Sequence, residues 1–204
     1  MSKSPTRPAT PVKIRTATNR REQLLQAAAK HFLEKGFAAA SMRVIAAEAN
    51  MKPGSIYYHF DSKSTLFVEV HKVGLANIKE RLEVSLEGVE GAWERLEAAC
   101  VSHLKVLLEG DVFFQAVMSE TPKQYGIDEK DQIVFHRDAY EAIFSQLLDD
   151  LDLPVGTDRR DLRLMLIGAM NWTFSWYKPG RETPEAIARK YVGFLATQLR
   201  KDGD

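Results

Sequence analysis

The sequence is poor in cysteine, with Cys100 alone among 204 residues. An intramolecular disulfide is excluded, and a single thiol is typical of proteins of the reducing cytoplasm, where we expect this chain to work. The sequence also lacks an apolar run of about 18 residues, the minimum for a membrane-spanning helix. Its longest apolar tract, 162–177, is interrupted by Arg163, Gly168 and Asn171. We therefore expect no membrane span, and the Pro- and Thr-rich stretch after the basic N-terminus predicts no secretory signal.

Motifs of catalytic and nucleotide-binding sites are missing as well. The sequence contains no HExxH, GxSxG, GxxxxGK[ST] or GxGxxG. Cys100 and His103 stand one helical turn apart and could share a metal ion, but no second pair of ligands accompanies them. We therefore expect no enzyme, no cofactor and no metal site.

Charge is balanced overall but unevenly distributed along the chain. Residues 1–63 contain eleven Lys and Arg against four Asp and Glu, a net charge of +7. The remaining residues contain 17 basic against 24 acidic side chains, a net charge of −7. A basic first third is typical of a region that binds a polyanion, although a basic surface that is only solvated gives the same count.

The hydrophobic pattern predicts an all-α protein. Residues 1–18 are rich in Pro, Ser and Thr and have no acidic residue, which predicts a disordered basic arm. A first helix is predicted from a cap at Asn19 to Gly36, and a long helix from Lys63 to Glu87 after a cap at Ser62. No stretch alternates long enough to predict a strand. Five further helices are predicted between Gly and Pro positions, over 89–109, 111–120, 128–150, 158–177 and 184–201.

Two short predicted helices, 42–49 and 53–60, are joined by a tight turn in the layout of a helix-turn-helix. In the second helix Ile56 and Phe60 are four residues apart and are suited to anchor it, whereas Tyr57 lies at the flank and could be partly buried. The opposite face is small, polar and aromatic and could reach phosphates and base edges through Gly54, Ser55 and Tyr58.

Residues 19–78 resemble the N-terminal DNA-binding domain of TetR/AcrR-family repressors. The resemblance rests on Gly36-Phe37, Ile45-Ala46 and the run 54–60 (GSIYYHF) followed by Ser62-Lys63. Asn50 stands where the family usually has glycine, but asparagine tolerates the same left-handed turn. The resemblance implies a homodimer whose two recognition helices enter successive major grooves of palindromic double-stranded operator DNA. The positions that match DNA contacts of the family are Ser41, Arg43, Lys52, Gly54, Ser55, Tyr57, Tyr58, His59 and Lys63.

The same resemblance implies a helix-turn-helix domain at 19–65 and a larger helical ligand-binding and dimerisation domain at 66–204. The function it implies is that of a ligand-responsive transcriptional repressor. Two alternatives remain: a multidrug-type sensor repressor, and an architectural DNA-binding protein without a ligand. The second does not need about 140 further residues of apolar helices.

The last two predicted helices are candidates for the dimer interface. The helix 158–177 is apolar around almost its whole circumference, which indicates burial on more than one side. Two such helices from each subunit would form a four-helix interface with two-fold symmetry, although both could instead complete the core of one chain. The predicted interface stripe on the final helix consists of Ile187, Tyr191, Phe194, Leu195 and Gln198.

The segment 168–180 is the candidate effector site. It places two tryptophans four residues apart and an amide, Asn171, inside an apolar tract. A buried amide needs hydrogen-bond partners, which a polar ligand could supply. Aromatic residues that only fill a core are the alternative. The candidate ligand-binding residues are Phe113, Phe114, Val117, Met118, Asn171, Trp172 and Trp176.

The pattern Asn-Trp-Thr…Trp-Tyr-x-Pro-Gly in this segment resembles TetR-family members that respond to acyl-CoA thioesters. The resemblance implies a small hydrophobic effector of the kind of an acyl-CoA of lipid, steroid or aromatic-acid breakdown. Such a ligand, wedged between the long helix that starts at Lys63 and the Trp172 helix, is predicted to tilt the long helix and release the operator.

Overall fold

The computed structural model describes residues 13–119 and 130–199. These residues form eight α-helices and one short 3₁₀ helix and contain no strand, which confirms the all-α prediction. In chain order the elements are α1 (Lys13–Ala39), α2 (Met42–Glu48), the 3₁₀ helix (Pro53–Tyr58), α3 (Lys63–Ser85), α4 (Ala92–Glu109), α5 (Val112–Ser119), α6 (Lys130–Asp149), α7 (Arg159–Trp176) and α8 (Pro184–Leu199). The predicted helix ends at 120, 128–129 and 200–201 lie outside the described residues.

Helix α1 begins earlier than the sequence predicts. It starts at Lys13 rather than Asn19, so Asn19 lies inside the helix and does not cap it. Residues 13–18 contain neither Pro nor Gly, so the helix extends backwards from its packed part. The rest of the predicted arm, 1–12, lies outside the described residues. The predicted end at Gly36 is confirmed by a kink, because this residue has φ 77° and ψ 161°.

The connections of the helix-turn-helix follow local sequence signals. Asn50 has φ 55°, the left-handed conformation expected of the turn. The Ser62 side chain accepts a hydrogen bond from the Thr65 main-chain N–H at 3.0 Å and so caps α3 as predicted. The second short helix is 3₁₀ rather than α and ends at Tyr58, with Pro53 at its start. We call residues 53–60 the recognition segment.

Two hydrophobic cores lie along the chain, and α3 contributes to both. The first core joins α1, α2, the recognition segment and the first half of α3, including Leu66 and Phe67. The second joins the rest of α3 to α4, α6, α7 and α8, and Ile78 and Leu82 belong to it. Helices α5 and α6 also contribute to both cores, through Ala116 and Ile133 in the first and Phe114 and Tyr140 in the second, so α3, α5 and α6 together link the helix-turn-helix to the larger helical part.

Helix α3 packs against α1, α4, α5 and α6, whereas α7 packs against α4 and α6. Helices α4 and α6 each contact both α3 and α7, so a ligand in the predicted position between α3 and α7 would also meet these two helices. Helix α3 lies very close to α5 at Gly74, because a Cβ built on this glycine would lie only 2.8 Å from the Phe113 carbonyl carbon and oxygen.

Among the described helices, none combines the length and the apolar character that a bilayer-spanning segment needs.

Candidate DNA interface and effector region

The recognition segment is anchored by buried apolar side chains and carries exposed rings. Ile56 and Phe60 are buried in the first core, as expected from their spacing. Tyr57 is 55% exposed and Tyr58 is 90% exposed, so Tyr57 points outward rather than into the core. The buried side chains therefore fix the main chain of the recognition segment, and the two exposed phenol rings are held in position to contact base edges and phosphates.

The other predicted DNA contacts lie in or next to α2, in the turn that follows it, in the recognition segment and at the start of α3. Arg43 and Lys52 are exposed, and no ion pair within the described residues involves either of them. Gly54 faces open space, since nothing lies within 4 Å of a Cβ built on it. Close approach of another molecule to the main chain is therefore possible here. Ser41, Ser55 and His59 are half-buried at the edge of this surface.

Lys63, a predicted DNA contact, has three partners for its ammonium group within the chain. Lys63 Nζ donates to the carbonyl oxygens of Phe37 at 2.7 Å, Ala40 at 3.0 Å and Ala38 at 3.2 Å. It also lies 4.6 Å from the centroid of the Phe37 ring. An ammonium group has three donor hydrogens, so all of them are directed at the chain that follows the Gly36 kink. Lys63 caps the end of α1, and a phosphate contact would require it to leave these carbonyls.

A second link between α1 and α3 was not predicted from the sequence. Arg21 forms an ion pair with Glu69, and its guanidinium lies 5.1 Å from the centroid of the Phe60 ring. Lys72 Nζ donates to the same carboxylate at 2.8 Å. Partial burial raises the pKa of Glu69, but the hydrogen bonds from Lys72 and Arg21 outweigh it and lower the pKa below its usual value. Arg21 and Glu69 are 48 positions apart, so no local pattern indicates the pair.

The predicted effector residues do not all lie together. Phe114 is buried in the second core, and Asn171 is half-buried with its Oδ1 atom fully enclosed. Phe113, Val117 and Met118 are half-buried on α5. Trp172 is 70% exposed and Trp176 is 46% exposed in the single chain, so both lie at the surface of α7. Trp176 lines an open cavity of about 530 Å³ together with Tyr177 and Ile187.

Beside Asn171 the structure reveals a buried polar pair that the sequence analysis missed. His103 Nδ1 and the Tyr140 hydroxyl are 2.5 Å apart, and both residues are buried. Burial lowers the pKa of His103 to about 4, an effect that nearby Asn171 partly opposes, so the imidazole is neutral at neutral pH. The sequence offers a histidine on an otherwise apolar helix face and an amide in a distant apolar tract, and no local pattern places the two together.

Cys100, one turn before His103, is fully buried, and burial raises the pKa of its thiol. This thiol and His103 are the one Cys–His pair in the sequence with the spacing of shared metal ligands, and no metal site is expected there. Within the described residues no three His, Cys, Asp or Glu side chains are grouped so that they could hold a metal ion.

The predicted dimer residues of α8 fall into two groups. Ile187 is buried in the second core, and the half-buried Tyr191 places its hydroxyl 3.0 Å from Thr173 Oγ1, so both serve the chain's own packing. Phe194 and Gln198 are exposed, and Leu195 is half-buried. Exposed large apolar side chains on the last two helices form a set that we call the α7–α8 face: Leu164, Met165, Trp172, Trp176 and Phe194.

Two family profiles match the chain. Residues 24–70 match the bacterial regulatory proteins of the tetR family, and residues 89–199 match the tetracyclin repressor-like C-terminal domain. Among curated relatives, the HTH-type transcriptional repressor KstR2 of Rhodococcus jostii is 43% identical over 196 residues, covering 89% of this chain and 92% of the relative.

Solved structures share the fold at lower identity. AibR in complex with isovaleryl coenzyme A and operator DNA superposes with a TM-score of 0.77 at 23% identity, covering 86% of this chain and 97% of AibR. FadR of Bacillus subtilis in complex with stearoyl-CoA gives a TM-score of 0.74 at 20% identity, covering 85% and 96%. At such identities the likeness concerns the fold.

The matched profiles cover both the helix-turn-helix and most of the larger helical part. Members of this family regulate transcription and are not enzymes, so the prediction that the chain is no enzyme is confirmed. The chain belongs to the TetR family of bacterial regulatory proteins.

Proposed function

We propose that the protein is a cytoplasmic, homodimeric repressor that leaves a palindromic operator when it binds an acyl-CoA thioester. The observation that carries the DNA-binding part is the recognition segment, where Tyr57 and Tyr58 project from a support anchored by Ile56 and Phe60. Arg43 and Lys52 beside it supply positive charge for phosphates.

The α7–α8 face supports the homodimer. Exposed apolar side chains in one region are uncommon on a monomer and typical of interfaces. Trp172 and Phe194 are 70% and 69% exposed in the single chain, and a second copy would cover them. In this proposal Trp172 and Trp176 serve the dimer interface rather than the interior of the effector site.

An acyl-CoA effector is supported by relatives of the same fold. The AibR and FadR structures are complexes with coenzyme A thioesters, isovaleryl coenzyme A and stearoyl-CoA. In this chain the second core offers an apolar interior with a polar cluster formed by His103, Tyr140 and Asn171. Such an interior suits a hydrocarbon chain or ring better than a polar ligand.

Helix α3 is positioned to transmit ligand binding to the DNA. Lys63 and Glu69 attach its first half to α1, and Gly74 contacts the start of α5. A ligand that displaces α5 would move α3 and with it the recognition segment. Release then requires the ligand to bind the displaced state more tightly, by about 1.4 kcal/mol for each tenfold loss of DNA affinity.

The DNA-binding proposal is tested by fluorescence anisotropy with DNA from the promoter of the protein's own gene. A Gly54→Ala variant should melt like the wild type, because its Cβ meets nothing in the chain, yet bind the operator at least about tenfold more weakly. Gly193→Ala, another glycine with open space around its Cβ, is the matched control and should bind DNA normally. Equal affinity of the Gly54 variant and the wild type would contradict close approach at the recognition segment.

The effector is identified by titrating the operator complex with palmitoyl-CoA, isovaleryl-CoA, the free acids and uncharged hydrophobic drugs. Release by a thioester but not by its free acid is expected. Release by drugs and by no thioester would instead favour the multidrug-type sensor. Binding to DNA without operator preference, with no release by any compound, would favour the architectural protein.

A further inference from the structure

An open cavity lies where the chain turns from α7 into α8, and we call it the turn cavity. Its volume of about 530 Å³ is within the range of small-molecule sites. Ile187 belongs to the second core and Tyr177 packs against it, so the cavity reaches the edge of that core. Two aromatic rings, three charged groups and one aliphatic side chain line it: Trp176, Tyr177, Lys178, Arg181, Glu182 and Ile187.

The turn cavity is positively charged in a part of the chain that is otherwise acidic. Lys178 and Arg181 are exposed, and within the described residues neither forms an ion pair. The third charged group, Glu182, is paired with Lys190. Residues 64–204 carry a net charge of −7, so two unpaired cations at one cavity are contrary to the trend of this region. They favour a ligand that carries negative charge.

The aromatic rings of the turn cavity favour a ligand with a flat ring. Trp176 is 46% exposed, so much of its indole surface is available in the single chain. The main-chain N–H of Tyr177 donates to the Thr173 carbonyl oxygen at 2.9 Å, which holds the main chain that carries both rings to the end of α7. Nucleobases stack on aromatic side chains of this kind, and Arg and Lys side chains bind phosphates.

Other classes of ligand fit this combination less well. A cationic drug is repelled by Lys178 and Arg181. A fatty acid has a single negative charge and no flat ring to stack on Trp176. A nucleotide joins a flat ring to several negative charges and so uses the indole and both cations at once. In an acyl-CoA thioester the nucleotide is also the end that does not belong in an apolar interior.

We propose that the turn cavity binds the adenosine phosphate end of the coenzyme A effector, with the adenine ring on Trp176 and the phosphates on Lys178 and Arg181. This inference rests on the proposed function, because it assigns a place to one end of the effector named there. Trp176 also belongs to the α7–α8 face, so the cavity borders the proposed dimer interface.

The test compares ligands with and without the nucleotide by isothermal titration calorimetry on the full chain. The ligands are isovaleryl-CoA, palmitoyl-CoA, the pantetheine thioesters of the same two acids and adenosine 3′,5′-bisphosphate. The CoA thioesters should bind at least about tenfold more tightly than the pantetheine thioesters. A double variant with Lys178→Gln and Arg181→Gln should bind the CoA thioesters about tenfold more weakly and the pantetheine thioesters normally.

The stacking contact is tested with two further variants. Trp176→Leu should weaken the binding of the CoA thioesters but not of the pantetheine thioesters, whereas Trp176→Phe keeps an aromatic face and should retain most of the affinity. Arg160→Gln is the control, because Arg160 is an exposed cation at the other end of α7 and does not line the cavity. The substituted side chains are all exposed, so each variant should melt close to the wild type.

The outcomes separate this inference from the proposed function. Equal affinity for CoA and pantetheine thioesters, or unchanged binding of the CoA thioesters to the double variant or to Trp176→Leu, overturns the nucleotide site. Operator release by thioesters would then leave the thioester-responsive repressor standing. Failure of every thioester, combined with binding of adenosine 3′,5′-bisphosphate that the double variant weakens, supports the nucleotide site and overturns the thioester effector. Binding of neither kind of ligand overturns both.

Discussion

Lys63 caps a helix end through charge-assisted hydrogen bonds. The carbonyl groups at a helix C-terminus have no partners within the helix and carry partial negative charge. The Lys63 ammonium binds three carbonyls that follow the Gly36 kink, while the Phe37 ring covers one side of it. The charge therefore stabilises the packing of α1 on α3.

Replacing Lys63 by methionine should lower stability without changing how DNA affinity depends on salt. Three carbonyls lose a charged donor, and we expect the free energy of unfolding to fall by about 1–3 kcal/mol in urea titrations. The slope of log affinity against log salt should stay that of the wild type. Arg43→Met is the comparison variant, and its slope should be shallower by about 0.9 if it loses one phosphate. If the slope became shallower for Lys63→Met while the stability stayed unchanged, the result would support a contact between Lys63 and a phosphate.

His103 should make the protein less stable in mild acid. Its folded pKa of about 4 lies below the value of 6.5 expected when it is unfolded, so the unfolded chain binds the extra proton first as the pH falls. The stability contributed by the neutral ring is complete above pH 6.5 and is lost as the pH falls towards 4. Between pH 7 and pH 5 the loss should be on the order of 2 kcal/mol.

The measurement is urea unfolding of wild type and His103→Gln between pH 7 and pH 5. The variant should be less pH-dependent over this interval, because glutamine does not titrate there. Parallel pH profiles for the two proteins would show that His103 is not buried in its neutral form.

Helix α3 is attached to α1 at its first half and packs very closely against α5 in its middle. At Gly74 the absence of a side chain lets α3 approach the Phe113 main chain. Gly74 is buried, and both groups nearest to its would-be Cβ belong to backbone, which cannot rotate away. The spacing between α3 and α5 is therefore set by main chain against main chain.

A Gly74→Ala substitution should force α3 and α5 apart. We expect a loss of about 1–3 kcal/mol in unfolding free energy, despite the higher helix propensity of alanine. The separation should also weaken operator binding in the absence of any ligand, as measured by anisotropy. Gly193→Ala in α8 is the control, since its Cβ has open space and its stability should be unchanged or slightly raised. Normal operator affinity of the Gly74 variant would argue against transmission through this contact.

The features that the sequence predicts correctly depend on interactions between residues close together in the chain. The cap at Ser62, the left-handed turn at Asn50 and the apolar spacing of Ile56 and Phe60 involve residues a few positions apart. Contacts between distant helices had no such signal, as with the Tyr140 hydroxyl on His103.

The sequence also does not show which surface covers the apolar face of each helix. An apolar face predicts burial but does not specify which surface covers it. Trp172 illustrates this, because the apolar pattern does not tell whether a ligand, a second chain or solvent meets a side chain that is 70% exposed in the single chain. Ile187 shows the converse case, because this predicted interface residue is buried within the chain.

The whole molecule combines two cores with one apolar face. The first core supports the recognition segment, the second encloses the polar cluster, and the α7–α8 face lies outside both. Binding of a second copy through this face would join two recognition segments about one two-fold axis, as a palindromic operator requires.

Phe194→Arg should dissociate the proposed dimer. A charged side chain in the middle of an apolar interface is left without a partner, so sedimentation at micromolar concentration should change from dimer to monomer. Phe135→Arg is a matched control, because Phe135 is 70% exposed and Phe194 69%, and Phe135 belongs to α6 rather than to α7 or α8. A monomeric wild type, or a dimer that survives the Phe194 change, would contradict the proposed interface.

The enclosure of Cys100 also makes the protein suitable for spectroscopy. A fully buried thiol with a raised pKa reacts slowly with maleimide and nitroxide reagents in the folded state. One introduced cysteine, such as Glu34→Cys on the exposed side of α1, could then be labelled while the native residue stays in place. In a dimer, paired electron spins at this position would report the distance between the two α1 helices before and after a ligand is added.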